Sequence, residues 1–150
     1  MSVVYKLLNP PVKRLLRSGL HGLMSKNTLL LEFTGRKSGR ALSTPISYYL
    51  KDGAAHCFTA RSYGWWRNLT SGHVAHLTIR GRRIASTPQV ETEDQAVIAA
   101  ELKRFLQAVP RDAKAAGVRL DKQGVPDAEA LRRVAPNMVY LKFPLEEGHG

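Results

Sequence analysis

The stretch FTGRKSGRALSTP, Phe33 to Pro45, sets Arg36, Lys37 and Arg40 around two glycines, between two strand-like apolar runs. Gly35 and Gly39 permit backbone conformations that turn successive N–H groups toward one point. Arg36 and Lys37 add charge and Ser38 a hydroxyl, a donor set that suits a phosphate or another charged anion. It is not a Walker A loop, because the spacing to a Lys-Ser/Thr pair and the following helix are both missing. The same residues would also make a solvated hairpin turn, so the loop alone leaves both readings open.

A second cluster is RSYGWWRNL, Arg61 to Leu69, which holds both tryptophans of the chain. It follows a strand-like run and reads as the opening of a short helix. Adjacent helical residues point about 100° apart, which predicts that Trp65 and Trp66 do not face the same core. One would anchor the core and the other would be free to cover a planar ring.

The remaining reactive residue types assemble nothing. His73 and His76 have the wrong spacing to share a strand face, and His21, His56 and His149 are isolated, so no metal set is expected. There is no G-x-S-x-G elbow, and no residue is singled out as catalytic. Cys57, the one cysteine, lies in a strand-like run and reads as a small buried hydrophobe. It can form no internal disulfide, which favours the cytoplasm. No signal-peptide core or spanning run of about 18 apolar residues is present either.

The formal net charge is +11, and it is segregated. Residues 1–83 carry 14 Lys and Arg against two acids, Glu32 and Asp52, while the remaining 67 hold nine bases and ten acids. A one-sided positive field attracts a polyanion, an anionic membrane or a multiply charged small molecule. Nucleic acid is disfavoured, because the aromatics are not spaced along a strand as a base-stacking platform requires.

The elements that must position these residues follow from hydrophobic period. At 150 residues, 43% of them hydrophobic, the chain reads as one folded domain. Asn9-Pro10-Pro11 signals a helix start, and Val12, Leu15, Leu16, Leu20 and Leu23 then form an apolar stripe opposite Lys13, Arg14 and Arg17. Residues 1–26 are thus a basic amphipathic segment, which either packs on the domain or lies on anionic lipid.

Strands are expected at Leu29–Phe33, Leu42–Leu50, Ala55–Ala60, Val74–Ile79 and Arg83–Val90, with hairpin turns at Asp52-Gly53 and Arg80-Gly81-Arg82. In the second of these Leu42, Thr44, Ile46, Tyr48 and Leu50 would share a face. Pro88 suggests an edge or a bulge in the fifth. Thr92-x-x-Gln95 matches a capping box before the stripe Ile98, Leu102, Phe105, Leu106, Val109. Arg111–Pro126 reads as loop, Asp127–Val134 as a short helix and Asn137–Phe143 as a last strand. Strands followed by helices predict an α+β fold with an antiparallel sheet.

The stretch LLLEFTGRKSGRALSTPISYYLKDG followed by TARSYGWWRNL resembles the deazaflavin-dependent nitroreductase family, the actinobacterial split-barrel flavin/deazaflavin oxidoreductases. The resemblance runs from about Leu29 to Arg83. It implies a split β-barrel like that of FMN-binding reductases, and the deazaflavin coenzyme F-420 as cofactor. It further implies that Arg36, Lys37, Ser38 and Gly39 hold the phosphate or acidic tail, and that Thr44, Pro45 and Ile46 run beside the ring system. Arg61, Ser62, Trp65, Trp66 and Asn68 would border the cofactor pocket. The reaction would be hydride transfer to a small hydrophobic, electron-poor acceptor: a quinone, nitro compound or enone. Pairing into a homodimer is a further implication of the barrel.

The competing expectation is a non-enzymatic split-barrel protein that binds a lipid, haem or flavin such as FMN at the membrane surface, held there by residues 1–26.

Overall fold

The computed structural model describes residues 27–145. The amphipathic segment 1–26 and the tail 146–150 lie outside the described residues. Among the described residues eight strands form two antiparallel four-stranded sheets. One sheet has the order β2-β1-β5-β6, from Ala41–Ser47, Thr28–Thr34, Ala75–Ile79 and Arg82–Ser86. The other has the order β3-β4-β8-β7, from Tyr49–Lys51, Ala54–Ala60, Met138–Pro144 and Gln89–Glu91.

Two of the expected strands are each broken into a pair, and the breaks close the barrel. The apolar run Leu42–Leu50 divides at Tyr48, whose N–H turns to the Asn27 carbonyl at 2.9 Å. Its first part pairs with β1 and its second with β4. Leu50 is therefore exposed, contrary to the single-face expectation, because the strand changes sheet before reaching it. The run Arg83–Val90 divides at Thr87-Pro88 in the same way: β6 pairs with β5 and β7 with β8. Pro88, which has no N–H to give a ladder, is buried at that corner. Each outer strand of one sheet thus continues into an outer strand of the other. Both hairpin turns have two successive positive φ values, 52° and 72° at Asp52-Gly53 and 51° and 85° at Arg80-Gly81, the twist that two-residue hairpins demand.

Alternation sorts the side chains into two cores. Leu29, Leu31 and Phe33 of β1, Leu77 and Ile79 of β5, Ala55 and Cys57 of β4, and Val139, Leu141 and Phe143 of β8 fill the barrel. The other face of β4 and β8, carrying His56, Phe58 and Tyr140, is covered by helix α1, Gln95–Ala108. That strand buries both faces, so β4 reads as a continuous buried run. The α1 stripe Ile98, Leu102, Phe105 and Leu106 is buried there, each side chain adding roughly 1.5–3 kcal/mol of transfer free energy.

The α1 cap differs from the expected box. Asp94, not Thr92, is the cap, its carboxylate accepting from the Val97 N–H at 3.1 Å. The preceding carboxylate, Glu91, accepts from both the Glu93 and Asp94 N–H groups and sets the entry angle. The segment expected as loop, 111–126, contains a 3₁₀ turn Pro110–Asp112, a one-turn helix α2 at Ala113–Ala116 and a bridge between Leu120 and Pro126. Helix α3, Ala128–Val134, follows under an Asp127 cap.

Candidate functional site

The loop between β1 and β2 is tightly organised. Gly35 N–H donates to the Arg40 carbonyl and Gly39 N–H to the Gly35 carbonyl, both at 2.8 Å. Arg40 N–H donates to Ser38 Oγ at 3.1 Å, and Arg36 N–H to Asn68 Oδ1 at 2.8 Å. A Cβ on Gly35 would lie 2.7 Å from Ser38 Oγ, so a side chain there would displace the Ser38 hydroxyl; Gly39 has φ +71°. The expected cradle of bare amides is thereby reduced. Within the loop the Lys37 and Ser38 N–H groups have no acceptor among the described residues, and Ser38 Oγ accepts one hydrogen bond. The side chains of Arg36, Lys37 and Arg40 are exposed, so the loop is a cationic tip.

The aromatic cluster folds as two 3₁₀ turns, Arg61–Tyr63 and Trp65–Leu69, separated by Gly64 at φ +79°. Both tryptophans are buried in the barrel core, at 1% and 6% exposure, which corrects the expectation that they could not share one. The segment plugs the barrel and is flanked by apolar side chains on two sides, so rings pointing apart both find cover. Trp65 stacks on Phe33 with centroids 5.7 Å apart. Trp66 donates its Nε1–H to the Arg61 carbonyl at 3.0 Å, and the Arg67 guanidinium lies 4.4 Å over its ring. Neither ring is left as an open platform.

A cavity of about 350 Å³ opens between β2, β4, α1 and the 110–116 segment. Thr44, Pro45, Ile46 and Trp65 line it, joined by residues that the motifs did not single out: Phe58, Thr59, Tyr63, Asp112, Ala116 and Met138. Its floor is apolar, from Leu102, Phe105 and Leu106. The volume is at the low end for small-molecule sites. Trp65 Nε1 is buried without an acceptor among the described residues. A wider hollow of about 700 Å³ near Lys114, Arg119 and Arg133 contains none of the sequence-predicted residues.

Asn68 joins the two halves. While its Oδ1 accepts from the loop, its Nδ2 donates to the Trp65 carbonyl at 2.8 Å. Other predicted residues lie elsewhere. Arg61 turns away from the cavity, its Nε donating to the Pro136 carbonyl at 3.0 Å and its Nη2 to the Thr92 carbonyl. It clamps the α1 entry to the start of β8. Ser62 is exposed and, like Arg61 and Trp66, does not line the cavity; Trp66 faces a separate hollow with Pro88 and Thr92.

Among the described residues no histidine lines the cavity. His56 is buried beneath α1, its Nε2 meeting the Lys51 carbonyl at 3.0 Å and its Nδ1 the Tyr140 hydroxyl at 2.7 Å. A carbonyl only accepts, so Nε2 carries the proton and Nδ1 accepts from the phenol. Burial raises the Tyr140 phenol, aided by nearby Glu101, and raises the Cys57 thiol. Among the described residues no group of three or more His, Cys, Asp or Glu is placed to hold a metal ion, and no helix is long and apolar enough to cross a membrane.

Comparison with known protein families and with curated proteins gives no match. Solved structures do match. A pyridoxamine 5'-phosphate oxidase-related, FMN-binding protein from Nostoc punctiforme is similar at TM-score 0.54 and 15% identity, over 97% of this chain and 83% of that one. A pyridoxinephosphate oxidase-family protein from Clostridium acetobutylicum, related to general stress protein 26, is similar at TM-score 0.54 and 13% identity, over 89% and 85%. The FAD and heme binding protein from Mycobacterium smegmatis is similar at TM-score 0.58 and 12% identity, over 82% and 62%. The two antiparallel sheets closed at both corners are the split β-barrel of FMN-binding proteins.

Proposed function

We propose that the chain binds a flavin-type redox cofactor across the cationic loop and the cavity, and that this cofactor is the deazaflavin coenzyme F-420. The acceptor would be a small electron-poor molecule: a quinone, nitro compound or enone. One observation carries the reading: Asn68 ties a tip bearing Arg36, Lys37 and Arg40 to the turn whose Trp65 walls an apolar slot. Arg40 and Pro45 are five residues apart, roughly 16 Å at strand rise, so the ligand must be elongated. It must also have an acidic end and a flat apolar end.

The residues present fit such a molecule. Arg36, Lys37 and Arg40 would hold its acidic end by charge, more cation than a single phosphate needs. Thr44, Pro45, Ile46 and Trp65 would flank the ring system. When bound, the cofactor supplies the hydride chemistry. Phe58, Leu102 and Phe105 would keep water from the ring, and no side chain is required as acid or base. FMN and FAD named in the neighbouring structures support a flavin-type ligand; the cation surplus and the motif resemblance favour F-420. Among the described residues no imidazole lines the cavity to ligate a haem.

Titration of the purified protein with F-420, FMN and haem, followed by tryptophan fluorescence, tests this. Saturable quenching by F-420 is expected. Specific binding of FMN with none of F-420 overturns the cofactor assignment, and binding of neither overturns the whole reading. The double variant Arg36→Ala, Lys37→Ala should weaken F-420 binding at least tenfold, given ~1.5–3 kcal/mol per charge-assisted hydrogen bond. Tight F-420 binding without oxidation of the reduced form by any acceptor would favour the non-enzymatic alternative.

A further inference from the structure

The middle of the outer face of the β2-β1-β5-β6 sheet is closed to water although no described helix packs across it. Leu29, Leu31 and Phe33 point into the barrel, so Leu30 points out, opposite Pro45 and Thr78 in the ladder. Leu30 is only 1% exposed and belongs to neither core. Its neighbours on that face, Ser43 at 1% and Thr78 at 7%, have hydroxyls buried with no partner among the described residues. A central strand cannot lose an outward leucine and two hydroxyls to burial unless something lies over them.

We propose that the cover is this chain's own segment 1–26, which docks the stripe Val12, Leu15, Leu16, Leu20 and Leu23 over Leu30, Ser43 and Thr78. The other stretch outside the described residues, 146–150, has no large apolar side chain to offer. The attachment point suits the docking. Asn27 is pinned at the start of β1, its carbonyl accepting from Tyr48 N–H and from Arg111 Nη2, which also reaches Thr28 and Ser47. Fourteen residues of helix, 10–23, would span about 21 Å, enough to cross four strands spaced roughly 4.8 Å apart. Residues 24–26 supply about 10 Å of connecting chain, comparable to the distance from Asn27 to Leu30 along β1. The inference is independent of the cofactor reading. It assigns the stripe to the barrel instead of to lipid.

The test is a double-mutant cycle in the full chain, between Leu30→Ala and the triple variant Leu15→Ala, Leu16→Ala, Leu20→Ala, read by urea unfolding midpoint. Alanine keeps the helix propensity of the segment while removing the stripe. Each variant should lower the midpoint, and Leu30→Ala should cost markedly less in the triple background. Additive costs overturn the docking. If the triple variant does not fold, single Leu16→Ala and Leu20→Ala changes replace it in the same cycle. Sedimentation velocity and co-sedimentation with phosphatidylglycerol-rich vesicles accompany the cycle. Loss of a dimer on removing the stripe, or a stripe needed for vesicle binding with no effect on the midpoint, also overturns it.

Discussion

The side chain of Asn68 holds the main chain of Arg36, its Oδ1 accepting that N–H at 2.8 Å across 32 residues of sequence. Because Nδ2 is bound to the Trp65 carbonyl, one amide group fixes the spacing between the cationic tip and the cavity wall. Asn68→Ala should cost about 1 kcal/mol of stability, the usual worth of such a bond. It should weaken F-420 binding about tenfold and speed hydrogen exchange at the Arg36 amide. Unchanged exchange at that amide would show that the loop is held by its internal bonds alone.

The two tryptophans report different places. Trp65 lines the cavity, whereas the Trp66 indole is bonded to Arg61 and faces another hollow. Ligand quenching should therefore vanish in Trp65→Phe and survive in Trp66→Phe. Equal quenching in both variants would put the ligand outside the cavity.

Arg61 acts in the scaffold. Two carbonyls, those of Pro136 and Thr92, accept from one guanidinium. Arg61→Ala should lower unfolding free energy by about 2–3 kcal/mol, and Arg61→Lys should recover only part of it because ammonium lacks the planar fork. Ser62→Ala, at an exposed neighbour, should stay near wild type. Wild-type stability in Arg61→Ala with lost ligand binding would instead make it a ligand contact.

Stability should fall on the alkaline side. Burial raises the Cys57 thiol above its ordinary 9.0 and the Tyr140 phenol above 10.0, the latter helped by Glu101; Tyr48 is raised by burial that outweighs Arg80. The folded chain keeps these protons while the unfolded chain releases them from about pH 9 upward. Their contribution is complete below that pH and is lost as pH rises. Urea midpoints should drop between about pH 8 and about pH 10.5, less steeply in Cys57→Ala. A flat profile would contradict the sign.

Period and turn chemistry made much of the barrel legible. The apolar runs of β1, β4, β5 and β8 and the paired positive-φ turns are local signals, and they correspond to elements in the fold. The sheet corners are not local. Leu42, Thr44, Ile46 and Tyr48 alternate without interruption into the corner, and only the adjacent aromatics Tyr48 and Tyr49, which end in different cores, hint that the strand turns. The capping box misled because the helix begins later, at Gln95, where Asp94 takes the Val97 N–H as cap. Thr44 to Ile46 and Trp65 are brought to one pocket by what the family resemblance implies, whereas Asp112 and Ala116 lie in a segment whose single helical turn is too short to read. The Arg61 clamp has no signature, since its acceptors are main-chain carbonyls.

The corners at Tyr48 and Pro88 bind the rim of each sheet to the rim of the other through the peptide chain itself. Neither sheet can peel away without dragging its counterpart, so fraying at one seam becomes opening of the whole cylinder. A guest lodged beside β2 would for that reason slow amide exchange in β8 as much as in β1, the far wall stiffening together with the near one.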